Sequence, residues 1–242
     1  GVFRCELLRI VLDVDNRPRE MFAHDRNADQ TKDDRFRNHK QNDLKQMIQL
    51  IRHKFETRSV RGSILESDPT VGVVKITGFD RATPNQLFAA VQDLLDGGCT
   101  RLVVDVRNNP GGELQGICSV LDYLLPEGVL FRSEYYDGST QVDESDAKCL
   151  EIPMAVLVNG SSYSAAEFFA AALQNWQWGK VVGEKTSGKG YFQVTYELKD
   201  GSAVGLSVGK YSTPKGVNLE GVGLIPDVVV EVDDETFAAI YA

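Results

Sequence analysis

Apolar residues arrive along this chain in two rhythms, and the change from one to the other marks its elements. Met154 to Val158 is an unbroken apolar run stopped by Asn159-Gly160, the pattern of a strand buried on both faces. Ala165, Ala166, Phe168, Phe169, Ala171, Ala172 and Leu173 follow, rich in helix formers and too densely apolar for a surface helix. The same alternation occurs upstream. Val71 to Phe79 (VGVVKITGF) reads as a strand. Thr83-Pro84-Asn85-Gln86 then supplies an N-cap, a proline at the first helical position and a glutamine at the third. Leu87, Phe88, Val91, Leu94 and Leu95 form the buried face of that helix, and Gly97-Gly98 ends it. Leu102 to Val106 is the next core strand. It breaks at Asn108-Asn109-Pro110-Gly111-Gly112, before a helix from about Glu113 with Leu114, Ile117, Cys118, Leu121 and Leu124 on one face. Strands alternating with helices at this spacing predict an α/β core with a largely parallel sheet. Period-two segments, Tyr191 to Leu198 and Ser202 to Tyr211, flank Asp200-Gly201 and predict a hairpin.

The first quarter of the chain differs. Residues 2 to 14 give a short strand candidate, and Asp15 to Gln41 is so crowded with Asp, Arg, Asn, Lys and Gln that it reads as a solvated loop or linker. From Asn42 on, Leu44, Met47, Ile48, Ile51 and Phe55 recur at helical spacing and predict an amphipathic helix. The organisation expected is a charged appendage or cap over residues 1–58 and a core over 59–242.

Charge and composition narrow the partners. A net charge of −9 without basic stripes argues against nucleic acid and anionic membranes. No apolar run reaches the length of a membrane span. Nothing resembles a signal peptide, and the chain starts at Gly1, as it would if a leader had been removed. Cys5, Cys99, Cys118 and Cys149 lack metal-ligand spacing and read as free thiols.

Candidate chemistry concentrates in the strand–turn–helix that starts at Met154. The turn aims backbone N–H groups and short side chains at one point, where a helix N-terminus favours negative charge. It carries Ser161, Ser162 and Ser164, and Lys189 follows between Gly188 and Gly190. A serine hydroxyl needs a base, and a desolvated, neutral lysine can act in place of histidine. All three histidines, His24, His39 and His53, lie in the first quarter. A purely structural role also accounts for Ser164 taken alone, because Ser164-Ala-Ala-Glu167 is a capping box.

NGSSYSAAEFFAAALQ followed by GEKTSGKGYFQ resembles the Ser–Lys signature of the carboxyl-terminal processing, or tail-specific, peptidases. VDVRNNPGG is similar to that family's Asp-x-Arg-x-Asn-Pro-Gly-Gly loop, and the Tyr-x-Thr-Pro and Gly-x-x-Pro-Asp patterns near Tyr211 and Asp227 are similar too. Likeness runs from about residue 59 to 232. It implies a crotonase-like peptidase core plus the small N-terminal strand/helix appendage. It further implies a serine endopeptidase in which Ser164 is the nucleophile, Lys189 the base and Gln193 its support. A glycine N–H, from Gly111 or Gly112, would form half of the oxyanion hole and Ala165 N–H the other half. Glycine suits that place because the backbone must approach a substrate carbonyl without a Cβ. Asp105 and Arg107 are expected to hold the loop. A polypeptide substrate, no metal or cofactor and an extracytoplasmic or cell-envelope location are also implied; homo-oligomerisation is left open.

Two departures stand out. Residues 1–58 are too short for the family's usual PDZ domain, and Asn175 stands where some members carry an aspartate. Two other readings share the fold. One is a non-catalytic binding module, as in the retinoid-binding proteins of the eye, and the other is an acyl-CoA enzyme. Neither has a reason to keep Ser164 and Lys189 together.

Overall fold

Met154–Val158 lies in the interior of a six-stranded sheet. The computed structural model describes residues 57–230 throughout and, of the rest, three short strands: β1 (Leu8–Leu12), β2 (Pro18–Arg19) and β3 (Ile48–Leu50). The chain divides into two compact units, Gly1–Glu56 and Thr57–Ala242. In the first, β1 pairs antiparallel with both β2 and β3. This corrects the helix expected from Asn42, since Ile48–Leu50 is a strand whose Ile48 and Leu50 stand opposite Ile10 and Leu8. Backbone pairing with β1 therefore takes the place of the helical spacing at these three residues. The remainder of that predicted helix, and most of the predicted 15–41 loop, lie outside the described residues.

The second unit runs β4 (Val60–Ile64), β5 (Val71–Ile76), α1 (Thr83–Asp96), β6 (Arg101–Asp105), α2 (Leu114–Leu124), β7 (Gly128–Tyr135), β8 (Thr140–Ser145), β9 (Met154–Val158), α3 (Ala165–Asn175), β10 (Gly179–Gly183), β11 (Tyr191–Glu197), β12 (Ala203–Ser212) and β13 (Val228–Val229). The six-stranded sheet has the order β13-β10-β9-β6-β5-β4. Its pairs are parallel except β4–β5. The architecture is therefore mixed α/β with a mostly parallel sheet. A second, four-stranded sheet, β11-β12-β7-β8, is antiparallel and includes the hairpin expected around Asp200-Gly201.

Helix α1 begins at Thr83 with Ala82 as its cap residue, one position earlier than the sequence suggested. Asp80 explains the shift, because its Oδ1 accepts from the N–H groups of Ala82 and Thr83 and so does the work of the N-cap. Helix α3 contacts β9 and β10 of the parallel sheet and β7 of the antiparallel one. Phe168 through Leu173 are buried along it, which accounts for a helix apolar on nearly every side. Ser164, one residue before α3, is thus held where the two sheets approach each other.

Candidate active site

The three serines of the β9–α3 turn separate by function once their partners are known. Ser162 is fully buried. Its Oγ donates to Val106 O (2.9 Å) and accepts from Asn159 N–H (3.1 Å), welding the turn to the end of β6. Asn159 reinforces this weld, accepting from Asn108 N–H and donating to Asn108 Oδ1. Ser161 is exposed. Ser164 has φ 54° and ψ −118°, a conformation rare for a residue with a Cβ. Such strain persists only where the surroundings impose it, and it clusters at functional sites.

The β6–α2 loop presses against this turn. Asn109 is fully buried, and its side chain donates to Ile76 O and accepts from Gly111 N–H at 2.8 Å. Tyr163 N–H donates to Asn109 O. Gly111, at φ 94°, has no room for a side chain: a Cβ would stand 2.8 Å from Tyr163 O and 2.9 Å from Ala165 N. Gly112 bridges Phe79, and a Cβ there would lie 1.9 Å from Phe79 O. At the base of the loop, Arg107 grips Asp105 with two guanidinium nitrogens at 2.9 Å, and Lys75 Nζ stands 3.6 Å away. Burial by itself would raise the Asp105 carboxyl. Hydrogen bonds from Arg107, aided by its charge and that of Lys75, overcome burial and hold the group below the usual carboxylate range.

The lysine loop is attached to the serine through Glu167. This carboxylate is fully buried and accepts four hydrogen bonds. Oε2 receives Ser164 N–H (2.8 Å) and Lys189 N–H (2.9 Å); Oε1 receives Thr186 Oγ1 (2.5 Å) and Gly188 N–H (2.7 Å). One oxygen therefore spans the backbones of the two residues with the most plausible chemistry. The flanking glycines have separate reasons. Gly188 adopts φ 90°, and a Cβ on Gly190 would meet Glu220 N at 2.6 Å. The Lys189 amine sits over the Tyr163 ring, 5.7 Å from its centroid, within range of a cation–π attraction. Among the described residues it shares no hydrogen bond with Ser164 Oγ.

A cavity opens beside Ser164, lined by Gly112, Ala165, Leu114, Ile117, Phe168, Phe131 and Tyr211. It encloses about 270 Å³ including its open mouth, and its walls are mainly apolar. The N–H groups of Gly112 and Ala165 have no acceptor among the described hydrogen bonds, whereas that of Gly111 is taken by Asn109. In that wall, burial pushes the Tyr211 phenol up, helped by Tyr135, Asp143 and Cys118. The Cys118 thiol is pushed up to about 12 by burial and by the adjacent Asp143 carboxylate. Cys99, Cys118 and Cys149 are free thiols.

The sequence model of peptidase family S41 matches residues 70–230. The chain belongs to peptidase family S41. Its relatives in the family include the carboxyl-terminal-processing protease of Synechocystis, 32% identical over 201 residues, which are 82% of this chain and 47% of that protein. The chloroplastic carboxyl-terminal-processing peptidase 1 of Arabidopsis thaliana is 36% identical over 65% of this chain and 33% of its own length. Among solved structures, the photosystem II D1 C-terminal processing protease superposes with a TM-score of 0.65 at 30% identity, over 78% of this chain and 53% of that one. The chain spans about half or less of these relatives.

Against that family background, the candidate residues fall into two groups. Ser164, Ala165 and Gly112 share one cavity, and Lys189 is tied to Ser164 through Glu167. Gln193 points elsewhere, its exposed amide donating to Ser207 Oγ across the β11–β12 pair (3.2 Å). Asn175 Oδ1 accepts from Lys215 N–H, so it holds a turn at the far end of α3. Asp227 accepts from Val181 N–H and tethers the start of β10. Sequence reasoning saw Glu167 only as a capping residue and passed over Thr186, Asn109 and the cavity wall of Phe131 and Tyr211. A signal for Glu167 existed, because an acidic residue inside an apolar helix face must find several donors.

Proposed function

We propose that this chain is the catalytic core of a Ser–Lys endopeptidase that cleaves unfolded polypeptides through an acyl-enzyme, on a crotonase-like fold. The observation that carries this reading is Ser164, strained at a tight strand-to-helix turn with two unspent backbone N–H groups in the same cavity. Ser164 Oγ attacks the scissile carbonyl as its proton passes to a neutral Lys189 Nζ. Gly112 N–H and Ala165 N–H receive the oxyanion, a contribution of about 3 kcal/mol per donor in comparable sites. The resulting ammonium protonates the leaving amine, and water, deprotonated by the regenerated Lys189 amine, releases the acyl group as the proton returns to Ser164 Oγ. Lys189 reaches the serine by swinging off the Tyr163 ring. The apolar walls suit an apolar side chain on the acyl side of the cleaved bond.

This assignment prefers Gly112 to Gly111 as oxyanion donor, and it leaves Gln193 to steady the strand that follows the base. Location outside the cytoplasm is part of the same proposal. The test is incubation with reduced, carboxymethylated casein, followed by mass spectrometry. Wild type is expected to release fragments, with turnover rising as pH rises because only the neutral amine is a base. Ser164→Ala and Lys189→Ala should each lower the rate at least about a thousandfold while keeping the fold. Undiminished cleavage by Lys189→Ala would refute the dyad.

A further inference from the structure

Strand β11 ends the four-stranded sheet, so one row of its backbone groups faces no strand among the described residues. The direction of that row follows from its neighbours. Leu198 N–H donates to Ser202 O, and Tyr211 N–H donates to Gly190 O, so residues 198 and 190 turn their backbone groups inward to β12. Alternation along an antiparallel ladder then turns those of Tyr191, Gln193, Thr195 and Glu197 outward. The register shift between Phe192 and Gln193 occurs without changing that parity on β11.

The same rule turns Lys189 outward, and its N–H indeed leaves the sheet to meet Glu167 Oε2, which also holds Ser164 N–H. The outward row of β11 is thus continuous with the nucleophile turn. It starts at the proposed base and runs away from it over seven residues. Edges of this kind are normally blunted by lysine, proline or a covering loop. This one, YFQVTYE, has no lysine or proline, carries a single charge at Glu197, and is exposed from Gln193 onward. Val194 and Tyr196 are also exposed, directly opposite Leu206 and Val204 of β12, so an apolar face accompanies the open edge.

We infer that β11 is the docking edge for the polypeptide substrate, which adds to the sheet as an extended strand and is led along it to Ser164. The inference rests on the peptidase reading and adds to it the conformation required of the substrate. Main-chain hydrogen bonds give affinity in such strand addition, while side chains contribute at alternate positions. The site would therefore accept unstructured chains of many sequences and refuse folded segments.

Two measurements separate this inference from the peptidase reading. In Ser164→Ala, binding of a fluorescent peptide taken from carboxymethylated casein across a cleaved bond is followed by anisotropy. Adding Thr195→Pro, which removes an outward N–H and leaves the inward ladder untouched, should weaken binding about tenfold; Thr195→Ala should not. Thr195→Pro in the otherwise wild-type chain should hydrolyse acetyl-alanine p-nitrophenyl ester normally, since that probe is too short to reach β11, and this also reports that the variant folds. Independently, single backbone N-methylation along the peptide should impair cleavage by wild type with a period of two residues. Equal peptide binding with and without Thr195→Pro, or N-methylation effects lacking that period, would overturn the docking edge while ester hydrolysis left the peptidase reading standing. Ester turnover that survived Ser164→Ala would instead remove the nucleophile.

Discussion

The two sheets of the second unit solve different problems with the same backbone. In the parallel sheet, β5, β6 and β9 are enclosed between neighbours, and their turns are locked by the fully or nearly buried side chains of Ser162, Asn159 and Asn109. In the antiparallel sheet, most of β11 and the first half of β12 are exposed on both faces. Residues that must hold an angle to within a few degrees, Ser164 and Gly112, belong to the first. Lys189, which the proposed mechanism requires to move, lies at the entry to the second. On the proposed mechanism, a site divided in this way has a rigid half that fixes the reacting geometry and an open half that meets a long, variable substrate.

The sharpest way to break the division is to cut the link between its halves. Glu167→Gln leaves one acceptor oxygen facing four donors, so we expect turnover to disappear and stability to fall by roughly 3 kcal/mol, seen together by casein cleavage and thermal unfolding. Retained activity would mean that the lysine loop is held well enough by its other contacts, Gly190 N–H to Glu220 Oε2 (2.6 Å) and Ser187 N–H to Ser162 O (3.2 Å) among them.

A smaller effect is expected inside the rigid half. The Asp105 carboxyl is depressed in the folded state, so its contribution is present above the unfolded value of about 3.9 and is lost as pH falls through the lower folded value. Asp105→Asn should therefore cost about 2 kcal/mol near neutral pH, with the difference from wild type shrinking in acid below that range. Chemical denaturation across pH measures this, and a pH-independent difference would contradict the linkage. The smallest effect belongs to Asn175→Asp. The replacement can still accept from Lys215 N–H, so casein cleavage should change by less than about twofold. A large rise would bring position 175 back into the chemistry.

These contrasts also explain what the sequence disclosed. The enclosed strands, their helices and the Pro-Gly-Gly loop were legible because apolar runs stopped by turn residues have few other interpretations. Strands β7 and β8 went unread. The apolar alternation of β7 is offset by a register shift between Val129 and Phe131, and β8 (TQVDES) has almost no apolar face; only Asp137-Gly138 marks their turn. With them went Phe131, hence the cavity wall. Around Ile48 the apolar spacing favoured a helix, and backbone pairing with a strand some forty residues earlier, which local spacing does not disclose, decided for a strand. Ser164 and Lys189 were identifiable from motif spacing. That Glu167 fastens them to each other was not, because its donors at 186, 188 and 189 meet it only in the folded chain.

The strained backbone of Ser164 has one more consequence, for how this site can evolve. At φ 54° a threonine would place its second branch against the backbone, so a residue with the same hydroxyl chemistry is barred on conformational grounds. Glycine, by contrast, would relieve strain of order 1 kcal/mol while removing the hydroxyl. Mutational drift toward greater stability at this position therefore leads away from the proposed nucleophile, and on that reading only selection on turnover keeps a serine there.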